Sequence, residues 1–404
     1  MLTAPHASPP GPFGFDPCWY QSWKDVRDED IAKVTQLLKR GILSVVAGGV
    51  MEQFEQRFAR FAGTQHAVAL NNGTAALYAA LWAVGVRAGD DVLICDYGFH
   101  GMAAAALTLG ARLVPVDCRP ESLTLDPADI ARRLTPRTRA ILIHHPWGVP
   151  AELGPIRAAA QGVPIISDAS HAHGASYGGQ PLARWADVTC FSLGLGKLIS
   201  GGELGCAVTD SLELRDRMLT LGHVNRVPAG LKGSEWNGSA VGLKLRPHPV
   251  ALALALGQLE RFEEKLSYLR ATCSRLEEGF RHHGLLPQVP PEGSARAYWR
   301  LVLRLDPGRF GDLPTAKVEE SLRAHRIPVE PNHYWPSLQH QDIFRWPDHQ
   351  ERVLRNDCPV VQAVAPRTVT LPAPVLMTPE QISQAIDAAG QAVASALGAS
   401  SSQS

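Results

Sequence analysis

The chain has 404 residues, of which 45% are hydrophobic and 19% are charged, and its formal net charge at pH 7 is zero. This composition is typical of a globular protein and excludes a disordered one, and the length predicts two domains. A neutral chain lacks the basic field that binds nucleic acids or anionic membrane surfaces, and no stretch approaches the ~20 apolar residues of a membrane span. We therefore expect neither nucleic acid nor a membrane as a partner.

The seven cysteines form no CxxC pair, and most of them lie in apolar runs. This spacing predicts neither a zinc site nor a disulfide framework, so we expect no metal ion and a reducing compartment, the cytoplasm. The first residues show no basic segment followed by an apolar run, so no secretory leader is expected.

The predicted elements begin with an irregular arm over residues 1–20, which is rich in proline and aromatic side chains. Helices are predicted at 28–40 and 51–63. Seven short apolar strands follow, at 66–70, 92–95, 112–116, 140–144, 164–167, 187–191 and 205–208. Helical patterns such as 74–84 and 99–109 separate the first five. Buried strands that alternate with helices indicate a mostly parallel sheet that is covered on both faces.

The pattern changes over residues 222–249, which are rich in glycine and proline. Beyond them the sequence predicts one long helix at 250–284, a strand at 297–305, a helix at 314–324, a looser region at 330–368 and a helix at 379–397. We therefore predict a large α/β domain over 21–249 and a smaller C-terminal α+β domain over 250–404.

The candidate site residues follow the strands, because ligands of open α/β sheets bind beyond the carboxyl ends of the strands. Gly73 and Thr74 come after the first strand, where a helix begins. Free N–H groups at a helix start bind anions such as phosphate. The same residues also suit a tight turn in which Thr74 caps the helix, and the sequence leaves both interpretations open.

Asp168 follows the fifth strand, where a buried carboxylate requires a cation or hydrogen-bond donors. The alternative is an aspartate that merely caps a turn. Ser192 follows the sixth strand, and Lys197 comes five residues later among glycines.

Lys197 is unusual because the chain has 8 lysines against 31 arginines, and no other lysine occurs between Lys39 and Lys232. A lysine can lose its proton and form a Schiff base with an aldehyde, whereas an arginine stays protonated. The alternative is an ordinary exposed lysine. Together, the three sites suit pyridoxal phosphate. The turn and Ser192 suit the phosphate, Asp168 suits the ring nitrogen and Lys197 suits the aldehyde. Phe99 is placed to cover the ring.

From about residue 28 to 395 the chain resembles the DegT/StrS-like sugar aminotransferases, a group of fold-type I pyridoxal phosphate enzymes. The resemblance is carried by the stretches FEQRFARFAGTQHAVALNNGTAAL, GDDVLICDYGF, HPWGVPAEL, ISDASHAHGA, CFSLGLGKLISGGELG and VTLPAPVLMTPEQI. It implies the α/β fold of type I pyridoxal phosphate-dependent transferases, in which a mostly parallel seven-stranded sheet forms the large domain.

The resemblance also implies roles for individual residues. Lys197 is the Schiff-base lysine, Asp168 pairs with the ring nitrogen and His171 lies near the phenolic oxygen of the cofactor. The remaining cofactor-binding residues implied are Phe99 at the ring face and Gly73, Thr74 and Ser192 at the phosphate.

Lys244 departs from the family pattern, since an asparagine that reaches the phosphate in the neighbouring subunit usually stands there. A homodimer with composite sites is therefore implied. A lysine can still bind a phosphate as a point charge.

The activity implied is amino transfer from glutamate or glutamine to a keto-sugar, nucleotide-linked or free, or to a keto-cyclitol, in secondary-metabolite or cell-surface sugar biosynthesis. Candidate substrate residues are Tyr97, His100, Trp147, Arg246, His333 and Tyr334.

Three alternatives stay open. Because some family members carry a histidine in place of the lysine and perform dehydration, the retained Lys197 favours transamination over a pyridoxal phosphate-dependent sugar dehydratase or lyase. A non-catalytic regulator that binds the cofactor is a second alternative. A nucleotide-binding α/β protein is disfavoured, because neither GxGxxG after the first strand nor GxxxxGK[ST] occurs.

Overall fold

The computed structural model describes residues 25–45, 49–226 and 242–401, so the arm predicted over residues 1–20 lies outside the described residues. The strands up to residue 209 are β1 (His66–Leu70), β2 (Asp91–Cys95), β3 (Arg112–Val116), β4 (Thr138–His144), β5 (Ile165–Asp168), β6 (Ser176–Tyr177), β7 (Gln180–Pro181), β8 (Val188–Ser192) and β9 (Gly205–Thr209). All seven predicted strands are therefore present. Asp168 and Ser192 are the last residues of β5 and β8 rather than the residues beyond them.

Seven of these strands form one sheet in the order β1-β9-β8-β5-β4-β2-β3. Within the described residues, β9 is the one strand of this sheet that runs opposite to the others, so it pairs antiparallel with both of its neighbours, β1 and β8. The other pairs, β2–β3, β2–β4, β4–β5 and β5–β8, are parallel. The predicted mostly parallel seven-stranded sheet is confirmed.

Helices cover both faces of this sheet: α1 (Asp28–Lys39), α2 (Val50–Ala62), α3 (Gly73–Ala83), α4 (His100–Thr108), α5 (Pro127–Arg133), α6 (Leu153–Ala159) and α7 (Leu212–Gly222). Alternate residues of each strand face opposite layers. Val68 and Ile166 belong to the core beneath α3 and α4. On the other face, Phe58 of α2 packs edge-to-face against Phe191, with ring centroids 5.1 Å apart.

The C-terminal part contains α8 (Pro249–Glu260), α9 (Phe262–His282), β10 (Leu285–Pro287), β11 (Arg300–Leu305), α10 (Pro307–Phe310), α11 (Thr315–Ala324), α12 (Pro347–Gln350), α13 (Pro359–Val364), β12 (Thr368–Pro372) and α14 (Pro379–Ser401). Strands β10, β11 and β12 form an antiparallel sheet. The predicted looser region at 330–368 contains α12 and α13.

The prediction of one helix over 250–284 is wrong, because the chain breaks at Arg261, where φ is −111° and ψ is 6°. The Arg261 guanidinium donates to Asp30 of α1 at 2.6 Å. The break lets α8 pack against α1 and α2 while α9 packs against β10.

The two sheets are connected beside the carboxyl end of β4. The N–H of Trp299 donates to the carbonyl of Trp147 at 3.2 Å, and the N–H of Ala297 donates to that of Gly148 at 3.0 Å. A side chain at Gly148 is impossible, since its φ is +101° and a Cβ would lie 1.9 Å from the Ala297 oxygen. These contacts fix the segment leading into β11 at the edge of the large sheet.

No helix in the described ranges is long and apolar enough to cross a membrane. The same ranges contain no group of three or more His, Cys, Asp or Glu side chains arranged for a metal ion. The six cysteines that the structure describes are free thiols, and all six are buried.

Candidate active site

A pocket of about 670 Å³, including the space at its mouth, opens at the carboxyl edge of the large sheet. Its wall is built from the turn after β1, the ends of β4, β5 and β8, and segments from both parts of the chain. The residues that line it are Asn72, Gly73, Thr74, Leu77, Phe99, Met102, His144, His145, Asp168, Ser170, His171, Ser192, Lys197 and Tyr334. The pocket therefore brings together every cofactor-binding residue predicted from the sequence except Lys244.

The turn after β1 packs directly on the end of β8. A Cβ at Gly73 would lie 2.6 Å from the Cβ of Ser192, so only glycine allows this approach. Asn72, not Thr74, caps α3, because its Oδ1 accepts from the N–H of Ala75 at 2.7 Å. Thr74 is exposed in the first turn of the helix. The exposed hydroxyl and the helix N-terminus make a small anion site.

Asp168 ends β5 and is only 8% exposed. One carboxylate oxygen accepts from the N–H of Ser170 at 2.9 Å. Burial raises the pKa of the Asp168 carboxyl, and the hydrogen bonds from Ser170 and the charge of Lys197 oppose that rise. A bound cation such as a protonated ring nitrogen stabilises the ionised carboxylate at this position.

Lys197 lies in a glycine-rich loop, and its N–H donates to the Gly194 carbonyl at 3.1 Å. The pKa of its amine is lowered to about 8: burial is the main cause, Asp168 opposes the shift, and the Arg300 charge adds to it. The amine is therefore partly unprotonated near pH 8, as a nucleophile requires. Its Nζ lies 4.0 Å from the ring centroid of Trp299.

His171 and Trp299 stack with centroids 3.7 Å apart at an interplanar angle of 20°. The N–H of Trp147 donates to Nδ1 of His171 at 3.3 Å, which leaves the ring proton on Nε2. The pKa of His171 is well below its ordinary value, first because of burial and then because of the Lys197 charge. His171 is therefore a neutral hydrogen-bond donor at neutral pH.

Phe99 immediately precedes α4 and lies at the pocket with 45% of its surface exposed. A Cβ at Gly101 would lie 2.5 Å from the Phe99 ring and 3.1 Å from the Thr74 hydroxyl. The missing side chain at Gly101 thus leaves room for the ring beside the anion site. An exposed aromatic face in this position is suited to covering a flat ligand.

The predicted substrate residues divide into two groups. Tyr334 lines the pocket, and the buried side chains of Trp147 and Tyr97 pack against Tyr334 without lining the pocket themselves. The Trp147 ring centroid is 4.6 Å from that of Tyr334, and its Nε1–H donates to the Tyr97 hydroxyl at 2.9 Å. The second group neither lines the pocket nor makes a ring contact with Tyr334 in the described part of the chain: His100, Arg246 and His333.

The sequence did not single out His144, His145, Asn72 or Ser170, although His144 ends a predicted strand and the strand-end rule could have found it. Trp299 and Arg300 carry no local signal, because only the connection between the two sheets brings them to Lys197. The guanidinium carbon of Arg300 is 4.5 Å from the Trp299 ring centroid, and Arg300 forms an ion pair with Glu330.

The chemistry of these groups fits pyridoxal phosphate. The glycine cradle with two hydroxyls suits a phosphate, the buried carboxylate suits a ring nitrogen, and the amine with lowered pKa suits an aldehyde. The fit depends on Gly73, where a Cβ would fill the cradle.

Residues 24–389 match the model of the DegT/DnrJ/EryC1/StrS aminotransferase family. The L-glutamine:2-deoxy-scyllo-inosose aminotransferase of Streptomyces paromomycinus is 31% identical over 79% of this chain and 80% of its own. The spore coat polysaccharide biosynthesis protein SpsC of Bacillus subtilis (strain 168) is 30% identical over 89% of this chain and 93% of its own. The structure of S. venezuelae DesV superposes with a TM-score of 0.80 at 25% identity, covering 93% of this chain and 97% of its own.

The lowered pKa of Lys197 gives a direct prediction. In the cofactor-free protein, modification of its amine by an amine-selective reagent should rise with pH with a midpoint near 8, against about 10.4 for an ordinary lysine. Arg300→Gln should move the midpoint to higher pH, because it removes a cation that disfavours protonation. Mass spectrometry of the Lys197 peptide measures both, with the Lys33 peptide as an internal reference.

Arg309→Gln is the matched control, since Arg309 lies on α10 and donates to the His282 carbonyl. It should leave the Lys197 midpoint unchanged. A wild-type midpoint near 10.4 would contradict the electrostatic description of the pocket.

Proposed function

The chain belongs to the DegT/DnrJ/EryC1/StrS aminotransferase family, and on that premise we propose that it transfers an amino group from glutamine or glutamate to a keto-sugar or a keto-cyclitol. The enzyme is a pyridoxal phosphate-dependent aminotransferase. The observation that carries the proposal is the shared pocket of Lys197, Asp168 and the Gly73–Ser192 cradle. The family relationship supports the cofactor, and the pocket supports the residue roles proposed below.

When bound, pyridoxal phosphate supplies an aldehyde that takes up an amino group and a ring that accepts electrons. We propose that Gly73, Thr74 and Ser192 hold the phosphate and that Phe99 covers one face of the ring. The Asp168 carboxylate accepts a hydrogen bond from the ring N–H and keeps that nitrogen protonated. Because Asp168 is buried, its charge acts with little screening by water.

Lys197 acts first as a nucleophile and then as a general base and acid. Its Nζ, partly neutral near pH 8, would hold the aldehyde group of pyridoxal phosphate as a nucleophile. The same Nζ would serve as the general base and acid that moves a proton between the substrate carbon and the cofactor. His171 Nε2–H donates to the phenolic oxygen of the cofactor. Nε2 carries the ring proton because Nδ1 accepts a hydrogen bond from the N–H of Trp147.

The acceptor class is proposed from the relatives and from the wall of the pocket. One relative uses L-glutamine and 2-deoxy-scyllo-inosose, and another takes part in spore coat polysaccharide biosynthesis. Tyr334 offers an aromatic surface in the wall of the pocket that contains Lys197, which suits the C–H faces of a polyhydroxylated ring. We propose that the product enters secondary-metabolite or cell-surface sugar biosynthesis, in the cytoplasm, where the free buried thiols remain reduced.

The central test is Lys197→Arg, which keeps a cation but removes the nucleophile. We expect the visible absorption of the bound cofactor to disappear and turnover to fall by about 10²–10⁴-fold or more. Turnover is measured by mass spectrometry with glutamine or glutamate and a panel of keto-sugars and keto-cyclitols that includes 2-deoxy-scyllo-inosose. Lys33→Arg is the control, since an arginine keeps its ion pair with Glu260. Full turnover by Lys197→Arg would contradict the proposed function.

We also propose a homodimer in which Lys244 of one subunit binds the phosphate in the other subunit. In support, Lys244 is exposed on its own chain and does not line the described pocket there. If each single variant is impaired, mixing Lys197→Arg and Lys244→Ala subunits should restore activity, because one site of each mixed dimer then lacks both defects. An absence of recovery in mixed dimers would contradict the composite site.

A further inference from the structure

His144 is a buried imidazole that no residue of the described chain binds. It is the last residue of β4, is 4% exposed and lines the pocket. Neither ring nitrogen has a hydrogen-bond partner. Buried polar groups in native proteins nearly always have one, so an unpartnered imidazole at a pocket wall indicates a ligand.

Two other buried histidines show why the location matters. Nε2 of His145 bonds to the Ser167 hydroxyl at 2.8 Å, and its Nδ1 accepts from the N–H of Ala151 at 3.0 Å. His173 packs against the rings of Phe191 and Phe262 and does not line the pocket. Within the described residues, only His144 combines unpartnered nitrogens with a place at the pocket wall.

The strand register fixes which way His144 faces. His144 pairs with Asp168 across β4 and β5, and Leu142 pairs with Ile166 two residues earlier. Leu142 and Ile166 both belong to the core beneath α3 and α4. Because strand side chains alternate, His144 and Asp168 point to that same face, side by side.

The sheet order then fixes which edge of a bound ring His144 meets. Ser192 ends β8, which lies on one side of β5, whereas His144 ends β4, which lies on the other. In pyridoxal phosphate the phosphate arm and the phenolic oxygen lie on opposite sides of the axis from the ring nitrogen to the aldehyde. With the nitrogen at Asp168 and the phosphate at Ser192, the edge that carries the phenolic oxygen and the 2-methyl group would face β4.

We propose that His144 is a further cofactor-binding residue, whose ring N–H donates a hydrogen bond to the phenolic oxygen of pyridoxal phosphate. This inference rests on the proposed function. Burial lowers the pKa of His144 to about 3, so its ring is neutral and carries one N–H. His144 thus adds a second donor, from β4, to the one proposed for His171.

This hydrogen bond has a spectroscopic consequence. A donor withdraws electron density from the phenolic oxygen and makes the nitrogen joined to Lys197 less basic. The pH midpoint of the visible spectral change of the bound cofactor is therefore lower than it is without the donor. The other titratable or charged groups around the site are Lys197, Asp168, His145, His171, Tyr334 and Arg300.

The test compares His144→Phe, which keeps the ring shape but has no donor, with His144→Asn, which keeps an N–H donor. We expect His144→Phe to raise the midpoint, to weaken pyridoxal phosphate binding about tenfold or more, and to leave the cofactor-free protein at least as thermally stable as wild type. His144→Asn should recover part of both changes. Absorbance titration measures the midpoint, and equilibrium dialysis measures the affinity.

A cofactor analogue without the C3 oxygen identifies the contact. Wild type and His144→Phe should bind this analogue with equal affinity, because the acceptor is missing in both complexes. An unchanged midpoint in His144→Phe, or an equal loss of affinity for cofactor and analogue, would overturn the inference. If wild type forms the visible band, such a result leaves the proposed function intact, whereas a wild-type protein without the band would overturn both.

Discussion

A lysine that must react as a free amine near neutral pH needs a lowered pKa, and the site depends on this constraint. The pKa of Lys197 is lowered to about 8, first because of burial, and the Arg300 charge contributes in the same direction. Asp168 acts in the opposite direction, because its negative charge raises the pKa of the Lys197 amine. In the proposed function the carboxylate would hold a cationic ring nitrogen, while the lysine stays partly unprotonated near pH 8.

The same burial keeps the neighbouring imidazoles uncharged. The pKa values of His144 and His145 fall to about 3, and that of His171 falls well below its ordinary value, in each case first because of burial. Neutral rings offer directed hydrogen bonds without adding positive charge beside Lys197. Three histidines can therefore line the wall of the pocket while the pKa of Lys197 stays at about 8.

Much of this arrangement could be predicted from the sequence, because strand ends converge in a parallel sheet. That rule predicts Asp168, Ser192 and the Gly73–Thr74 turn as site residues, and the rarity of lysine in an arginine-rich chain points to Lys197. Trp299 and Arg300 could not be found this way. They reach Lys197 only through the backbone bonds between the segment before β11 and the turn after β4. The break at Arg261 was hidden for a similar reason, since apolar periodicity continues through α8 and α9 while the partner that favours the break, Asp30, is distant in sequence.

The most direct test of the central claim is the reaction of the cofactor-loaded enzyme with glutamine alone, followed by mass spectrometric counting of pyridoxamine phosphate. The account predicts one pyridoxamine phosphate per chain, consumed again when a keto-cyclitol or keto-sugar acceptor is added, and none in Lys197→Arg. If neither glutamine nor glutamate yields pyridoxamine phosphate in the wild-type enzyme while Lys197 carries the cofactor, the assignment of amino transfer to this pocket is contradicted.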